Sequence, residues 1–419
     1  MEKIYVYADF DFLAQAEKIG VLSYERVRGN DHFSFEYSPE WLKLHGGIIL
    51  SGDVLNVRGM QHPRGGNSVF GFVKDSFPDR WGRLLLDRRE RLAAQEEQRP
   101  VRSLSNYDYL VGIEDLTRMG GIRYSKGENG TFINENSKYS VPPLESLRAL
   151  CDACEELESA EERNELPQQR WLDQLVDPGS SLGGARPKAN VVDTDGKYYV
   201  AKFPSKKDLE DTELIEHFSH LLARKAGINV ANTKVLSVSK SRHILLSERF
   251  DRTVDGKRRH FASAMSLLGL DDGCGATTGN GYLDIVDFIV SNCTNVQQNL
   301  RELYRRVTFN ILFGNTDDHF RNHGFLLTPK GWTLSPAYDI NPSTKRYQCL
   351  LINENTETSD IKALLDACES YMLSRKDAQN IVDEVSSTIN DWQRIATENQ
   401  IPNRVLERFS EKFRISQKL

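Results

Sequence analysis

The sequence predicts an α+β protein of two lobes, with a β-rich first part and a helical last part. Three observations predict it. "KIYVYADF" alternates as a strand does, and the apolar runs "ANVV" and "KYYVAKF" flank an Asp195-Gly196 turn as the arms of a hairpin do. From about Phe261 the apolar spacing changes to the helical period. With 419 residues the chain is longer than one domain usually needs, so two or three core-bearing units are expected.

The elements follow in order. Residues 1–140 read as a β-rich subdomain with a helix. In it, "GGIILSGDV" reads as a second strand between turn residues. "DSFPDRWGRLLLDRRERLAAQEEQ" opens a helix, with Pro78 suited to a first turn and Leu84, Leu85 and Leu86 as its apolar stripe. "GENGTFINENSKYSVPP" is polar and turn-rich, a boundary. Residues 141–255 read as a second part. A helix from Leu144 to about Arg163 carries Leu144, Leu147, Cys151, Cys154 and Leu157 on one face. The hairpin follows, then a helix with Leu214, Phe218, Leu221 and Leu222 on one face and Gly227 at its C′ position. "TKVLSV" and "HILLSERF" read as two more strands. Residues 256–419 form the helical part, with helices at "DIVDFIVSNC", "NLRELYRRVTFNILF" and "IKALLDACESYML".

Composition narrows the function classes. Apolar residues make up 39% and charged residues 27%, as in ordinary globular chains. A net charge of −6 provides no global field toward nucleic acid or membranes. No run of about 18 apolar residues and no secretory leader appears, so a cytoplasmic, membrane-free protein is expected. Six scattered cysteines are too few for a disulfide scaffold. Cys151 and Cys154 form a C-x-x-C, but helical spacing and the lack of a second pair favour a core helix over redox or zinc chemistry.

Four stretches carry chemistry. "SSLGGARPK", Ser180 to Lys188, is a small-residue loop running into a strand, and such loops let backbone N–H groups approach phosphate oxygens. It matches neither standard glycine-rich nucleotide pattern, so an ordinary turn competes. Lys202 interrupts the apolar strand "YYVAKFP". Facing inward it needs an anion, such as nucleotide phosphates, with Glu216 as an orienting partner; facing outward it is merely solvated.

The densest stretch is "FNILFGNTDDHFRNHGFLL". Its flanks are apolar, and buried charge between them is costly unless paired or holding a metal. Asp317 and Asn322 stand as D-x-x-x-x-N. That spacing lets one loop aim a proton-accepting carboxylate and a cation-binding amide at one centre, as phosphoryl transfer requires. The competing reading is a zinc site made by Asp318, His319 and His323. Finally, "LSPAYDINP" delivers Asp339 just past an expected hairpin, "FLLTPKGWTL", where a second magnesium ligand is wanted. The order of these parts is that of a two-lobed, protein-kinase-like fold.

"SLGGARPKA", "VAKFP", "LSERFDR", "NILFGNTDDHFRNHGFLL" and "SPAYDINP" together resemble the HipA family of bacterial serine/threonine kinases, toxins of type II toxin–antitoxin pairs. "GDV" and "DSFPDRWGR" resemble that family's first domain, so the resemblance spans nearly the whole chain. It implies ATP and Mg2+ as cofactors and a protein substrate, in the family an aminoacyl-tRNA synthetase. It also implies a HipB-like DNA-binding antitoxin as partner, with DNA reached only through that complex. Asp317 is then the catalytic base, and Asn322 and Asp339 hold magnesium. Lys202 contacts the nucleotide phosphates, and Gly183, Gly184, Ala185, Arg186, Pro187 and Lys188 form the phosphate loop. Glu248, Arg249 and Phe250 connect the lobes and read the adenine edge through their backbone. His319, Phe320, Arg321 and Asn322, with Tyr338, line the nucleotide site. Ser181, or Ser180 beside it, is the autophosphorylated serine whose modification ejects the loop. Asp318 stands where the family often has glycine, an added carboxylate that tunes the metal or faces solvent.

Two other readings remain open. A small-molecule phosphotransferase shares the D-x-x-x-x-N logic. A kinase-shaped co-regulator that binds the antitoxin and represses transcription needs no catalysis at all.

Overall fold

The computed structural model describes residues 1–64, 67–128, 130–135, 141–163, 165–179, 186–343, 345–403 and 405–407. The chain forms two compact units, Met1–Leu209 with Leu236–Ala262, and Glu210–Val235 with Ser263–Leu419. The expected segments 1–140 and 141–255 therefore fall mostly in one unit, and the helix Thr212–Lys225 joins the other.

In the first unit, strands β1 (Glu2–Ala8), β2 (Glu17–Val27), β3 (Asn30–Tyr37) and β4 (Ile122–Ser125) form a sheet of order β3-β2-β1-β4. Ile4, Val6 and Ala8 are fully buried, which is the alternation of a half-buried strand. The expected strand at "GGIILSGDV" does not form. Asn56 donates from its side-chain amide to the carbonyls of Gly46 and Ile48 at 2.8 and 2.9 Å. Those carbonyls thus find their partner in a side chain rather than a ladder. Asp53 is buried there and accepts from the Ser51 hydroxyl and from the Gly71 N–H.

Strands β5 (Lys188–Val192), β6 (Tyr198–Lys202), β7 (Thr233–Ser239) and β8 (Arg242–Glu248) form a second sheet, of order β5-β6-β8-β7. The β5–β6 hairpin turns where expected, with Gly196 at φ +78°. Trp81, Leu85 and Leu86 of the helix Arg80–Glu96 share one core with Leu150, Leu157, Leu172 and Leu175 and with Ala189, Val191, Tyr199 and Ala201 of the sheet. Each such leucine, fully buried, contributes about 1.5–3 kcal/mol. Asp79, not Pro78, opens the helix: its side chain accepts from the Gly82 N–H, so Pro78 precedes the cap instead of lying in the first turn. Cys151 and Cys154 belong to this core, on the helix Leu147–Glu162. Burial pushes the Cys151 thiol up to about 11 and Cys154 well above its usual value, which is the chemistry of core thiols rather than redox ones.

A buried charge network joins the "SERFDR" stretch to residues 115–123. Asp251 is fully buried and accepts from Arg249 at 2.9 and 2.7 Å, from Arg252 at 2.7 Å and from the Gly120 N–H at 2.8 Å. Arg249 also donates to the Thr117 carbonyl and to Asn190 Oδ1. Asp115, equally buried, takes Arg123 and Arg258 at 2.6 and 2.8 Å. Burial alone raises an aspartate; here the flanking guanidiniums outweigh it and hold both carboxyls below their ordinary value. Buried charges of this kind need one another: removing one strands the rest.

The second unit is mainly helical. The helices Tyr282–Asn292, Val296–Phe313 and Arg375–Asn390 form where the period predicted the first two. The helix Thr212–Lys225 ends before Gly227, whose φ of +83° suits the expected left-handed position. The hairpin Gly324–Thr328 with Gly331–Leu334 pairs Phe325 with Leu334 and Thr328 with Gly331. Among the described residues no helix is long and apolar enough to cross a membrane.

Candidate active site

The polar stretch of the second unit is built between two stiff elements. The helix Val296–Phe313 stops at Gly314, whose φ of +83° takes the chain out of helical geometry. Residues 315–319 are irregular, Phe320–Asn322 form a single 3-10 turn, and the hairpin begins at Gly324. The hydroxyl or amide groups of buried Asn315 and Thr316 lie at the helix end, where Asn315 donates to Asn310 Oδ1 at 3.0 Å.

Two adjacent carboxylates meet opposite fates. The Asp317 side chain is 66% exposed. Lys345 lies 3.9 Å from its Oδ1, and the Cys349 thiol donates to the same oxygen at 3.7 Å. Burial, then Asp317 itself, push that thiol up to about 11, so it stays a neutral donor. Asp318 is buried, and its Oδ2 gathers the Tyr282 hydroxyl at 2.8 Å, the Asn310 amide at 2.6 Å and His323 Nε2 at 2.8 Å. Burial raises its carboxyl, but His323 and these hydrogen bonds outweigh it and hold it below the usual value. The expectation that Asp318 faces solvent is therefore corrected: it is buried and pins the loop to two helices. Among the described residues no three His, Cys, Asp or Glu side chains gather as a metal-binding group, so Asp318, His319 and His323 do not form the zinc site weighed above.

Asn322 and Asp339 are brought to this loop by their neighbours. The Asn322 amide nitrogen donates to the Asp317 carbonyl at 3.0 Å, a bond that does not use the amide oxygen. The Tyr338 hydroxyl donates to the Arg321 carbonyl at 2.6 Å, so the residue before Asp339 is tied to the residue before Asn322. Asp339 has φ +56°, a left-handed conformation uncommon outside glycine and of the kind found at binding sites. Ala337 holds it from behind, bonding Asn229 and Ala231 backbone at 2.8 and 2.9 Å. Asn341 donates to Asp339 at 3.4 Å and to buried Glu216 at 3.5 Å. A carboxylate and an amide oxygen are hard donors, the set that suits Mg2+ over softer metals.

The other expected lining residues divide. His319 caps the 3-10 turn and is half-buried. Phe320 is 2% exposed, a core side chain, so only its backbone can face a ligand. Arg321 forms a bidentate pair with Asp272 at 2.5 and 2.8 Å.

In the first unit, Lys202 ends β6, half-buried, on the face of the sheet opposite the Ala189–Ala201 core. Arg186 pairs bidentately with Asp208 at 2.7 and 2.6 Å, and Lys188 with Asp79 at 2.9 Å. The Pro187 carbonyl accepts from the Phe203 N–H at 2.9 Å. These partners anchor the end of the expected phosphate loop, a role its sequence did not disclose. Glu248 lies 3.8 Å from Lys197, and the Phe250 ring packs 5.9 Å from Phe261. The Arg249 side chain turns into the buried network, and its backbone N–H donates to the Tyr198 carbonyl at 2.9 Å. Ser180, Ser181, Gly183, Gly184 and Ala185 lie outside the described residues. Asp79, Asp208, Tyr282, Asn310, Lys345 and Cys349 escaped sequence reasoning. For Asp79 alone a signal existed, a capping residue before the helix in "FPDRWGR".

Comparison with known proteins gives the following. Residues 180–393 match the model of the HipA-like C-terminal domain, and residues 10–107 match that of the HipA N-terminal domain. A serine/threonine-protein kinase toxin HipA of Shewanella oneidensis is 27% identical over 264 residues, 56% of this chain and 59% of the relative. A Haemophilus influenzae protein with a provisional kinase name is 25% identical over 180 residues, 39% of this chain and 52% of the relative. The chain thus spans between half and three fifths of these curated relatives. In fold it is similar to the Shewanella oneidensis MR-1 HipA solved with HipB and operator DNA, with a TM-score of 0.68 at 17% identity, covering 99% of this chain and 97% of that one.

Proposed function

Because the chain belongs to the HipA family, we propose that it is an ATP- and magnesium-dependent serine/threonine protein kinase, the toxin of a type II toxin–antitoxin pair. The observation that carries this reading is the Tyr338–Arg321 bond. It sets the Asp339 segment against the Asp317–Asn322 loop, the arrangement phosphoryl transfer to a hydroxyl requires.

In this reading the exposed Asp317 carboxylate accepts the proton of a serine or threonine hydroxyl. The hydroxyl oxygen bonds the γ-phosphorus as the bond from that phosphorus to the ADP oxygen breaks. Asn322, through its amide oxygen, and Asp339 would hold Mg2+, which when bound offsets charge on the phosphate oxygens. Lys202 contacts the phosphates, and the backbone of Glu248 to Phe250 reads the adenine edge. His319, Tyr338 and the backbone around Phe320 and Arg321 line the nucleotide. Ser181 or Ser180 accepts phosphate in autophosphorylation, and two added negative charges there oppose binding of ATP. The partner is a HipB-like antitoxin, which supplies the contact with DNA. The target is another cytoplasmic protein, in line with the aminoacyl-tRNA synthetases of the family.

Metal dependence checks the assignment of Asp339. Phosphate transfer from ATP is expected to vanish in EDTA and return with Mg2+. Asp339→Asn is expected to raise the Mg2+ concentration for half-maximal rate by about tenfold or more. Undiminished transfer in EDTA, or an unchanged Mg2+ requirement in the variant, would remove Asp339 from this role.

A further inference from the structure

Residue 188 begins β5 directly opposite residue 202 at the end of β6. Opposed residues of an antiparallel pair project to the same face, and like charges there repel. Both positions are lysine. Lys188 is moreover only 2% exposed, so its ammonium demands a counter-charge.

That charge arrives from more than a hundred positions earlier in the chain. Asp79 Oδ2 accepts from Lys188 Nζ at 2.9 Å, with the two side chains 8% and 3% exposed. The other oxygen of the same carboxylate, Oδ1, accepts the Gly82 N–H at 2.7 Å and so caps the helix Arg80–Glu96. The helix N-terminus steadies the carboxylate in turn. Two residues on, the Trp81 indole N–H donates to the Lys188 carbonyl at 3.0 Å. The first turn of that helix therefore grips residue 188 by both side chain and backbone. Its grip joins Phe203 on Pro187 and Asp208 on Arg186, so three successive residues leading into β5 are each fixed from a different direction. Asp79 lies within residues 10–107 and Lys188 within 180–393, so the pair couples the two family-matched segments.

We infer that Asp79 is a positioning residue of the nucleotide site, holding Lys188 as a neutralised anchor at the position opposite Lys202 rather than leaving it as a phosphate ligand. The inference rests on the kinase reading above, since it needs a nucleotide for Lys202 to meet. With Asp79 present, the Lys188 charge is offset and the β5–β6 pair keeps its register at the end that carries Lys202. Without it, Lys188 is a buried cation with its carboxylate partner gone, and the strand ends carrying Lys202 must rearrange.

ATP affinity of the full-length protein, measured by calorimetry with Mg2+ at fixed ionic strength, tests this in four proteins. Asparagine caps a helix as well as aspartate, so Asp79→Asn removes the charge and spares the cap. Asp79→Asn and Lys188→Met are each expected to weaken ATP binding about tenfold. The double variant, which removes this ion pair whole, is expected to return to within about threefold of wild type. If Lys188 bound phosphate itself, the double variant would bind no better than Lys188→Met. That result overturns the inference, as does wild-type affinity in both single variants. Should Asp79→Asn not fold, the comparison of Lys188→Met with the double variant still decides. Absence of ATP binding by the wild type defeats the kinase reading and this inference with it; equal binding by all four defeats the inference alone.

Discussion

Asparagine at position 317 is expected to lower phosphate transfer from ATP about a thousandfold, while ATP affinity stays within about threefold of wild type. The size follows from the role. A positioned base that accepts the substrate proton contributes about 10²–10⁴ in rate, and asparagine cannot accept it. The selectivity follows from the surroundings. The Asp317 side chain is 66% exposed, with Lys345 3.9 Å and the Cys349 thiol 3.7 Å from its Oδ1. The Asn322 bond is to the backbone carbonyl of residue 317 and survives the exchange. Stability should therefore change by no more than about 0.5 kcal/mol. A rate loss that comes with unfolding, or a large loss of ATP affinity, would mean that Asp317 does structural or binding work instead. Growth arrest on expression is expected to disappear with the transfer activity.

The second large effect falls on stability. Asp251→Asn is expected to cost about 3–5 kcal/mol, because Arg249 and Arg252 lose the carboxylate that neutralises both. For a unit of this size that lowers the unfolding midpoint by roughly 10 °C. The pH profile separates this cause from a general loss of packing. Asp251 is held below its ordinary value, so the unfolded chain binds the proton first as pH falls. Its contribution is complete above about pH 4 and drains away below it. His260, stacked on Phe10, is pushed down to about 3 by burial. Its neutral folded form costs stability from about pH 6.5 downward, as the unfolded imidazole takes up a proton. The variant should keep the His260 slope and lose part of the steeper fall below pH 4. Thermal melts from pH 3.5 to 7.5 measure both, and a midpoint within 2 °C of wild type at pH 7 would show that the network does not depend on this carboxylate.

What the sequence disclosed and what it concealed have physical reasons. Local patterns were legible. The "FLLTPKGWTL" hairpin, the Asp195-Gly196 turn, the C-x-x-C core helix and the Gly227 helix end all depend on residues within a few positions of one another. The gathering of the Asp317–Asn322 loop with the Asp339 segment followed from order along the chain. Pairings across long separations were not legible. Asp79 and Lys188 stand 109 residues apart, and Arg252 and Arg118 are joined across 134. Nothing in "SERFDR" announces that its charges are turned inward. The failed strand at "GGIILSGDV" is a milder case, because Asn56 takes the carbonyls that a neighbouring strand would have taken. Asp318 misled by adjacency: beside an exposed carboxylate it looked like a second one, whereas Tyr282, Asn310 and His323 converge on it in the interior.

The most direct measurement is a single-turnover reaction of the purified chain with γ-labelled ATP and Mg2+, offered both a cytosolic protein extract and a pool of metabolites. The account predicts label in acid-stable phosphoserine or phosphothreonine on protein. Label confined to small molecules, or released only as inorganic phosphate, would contradict it.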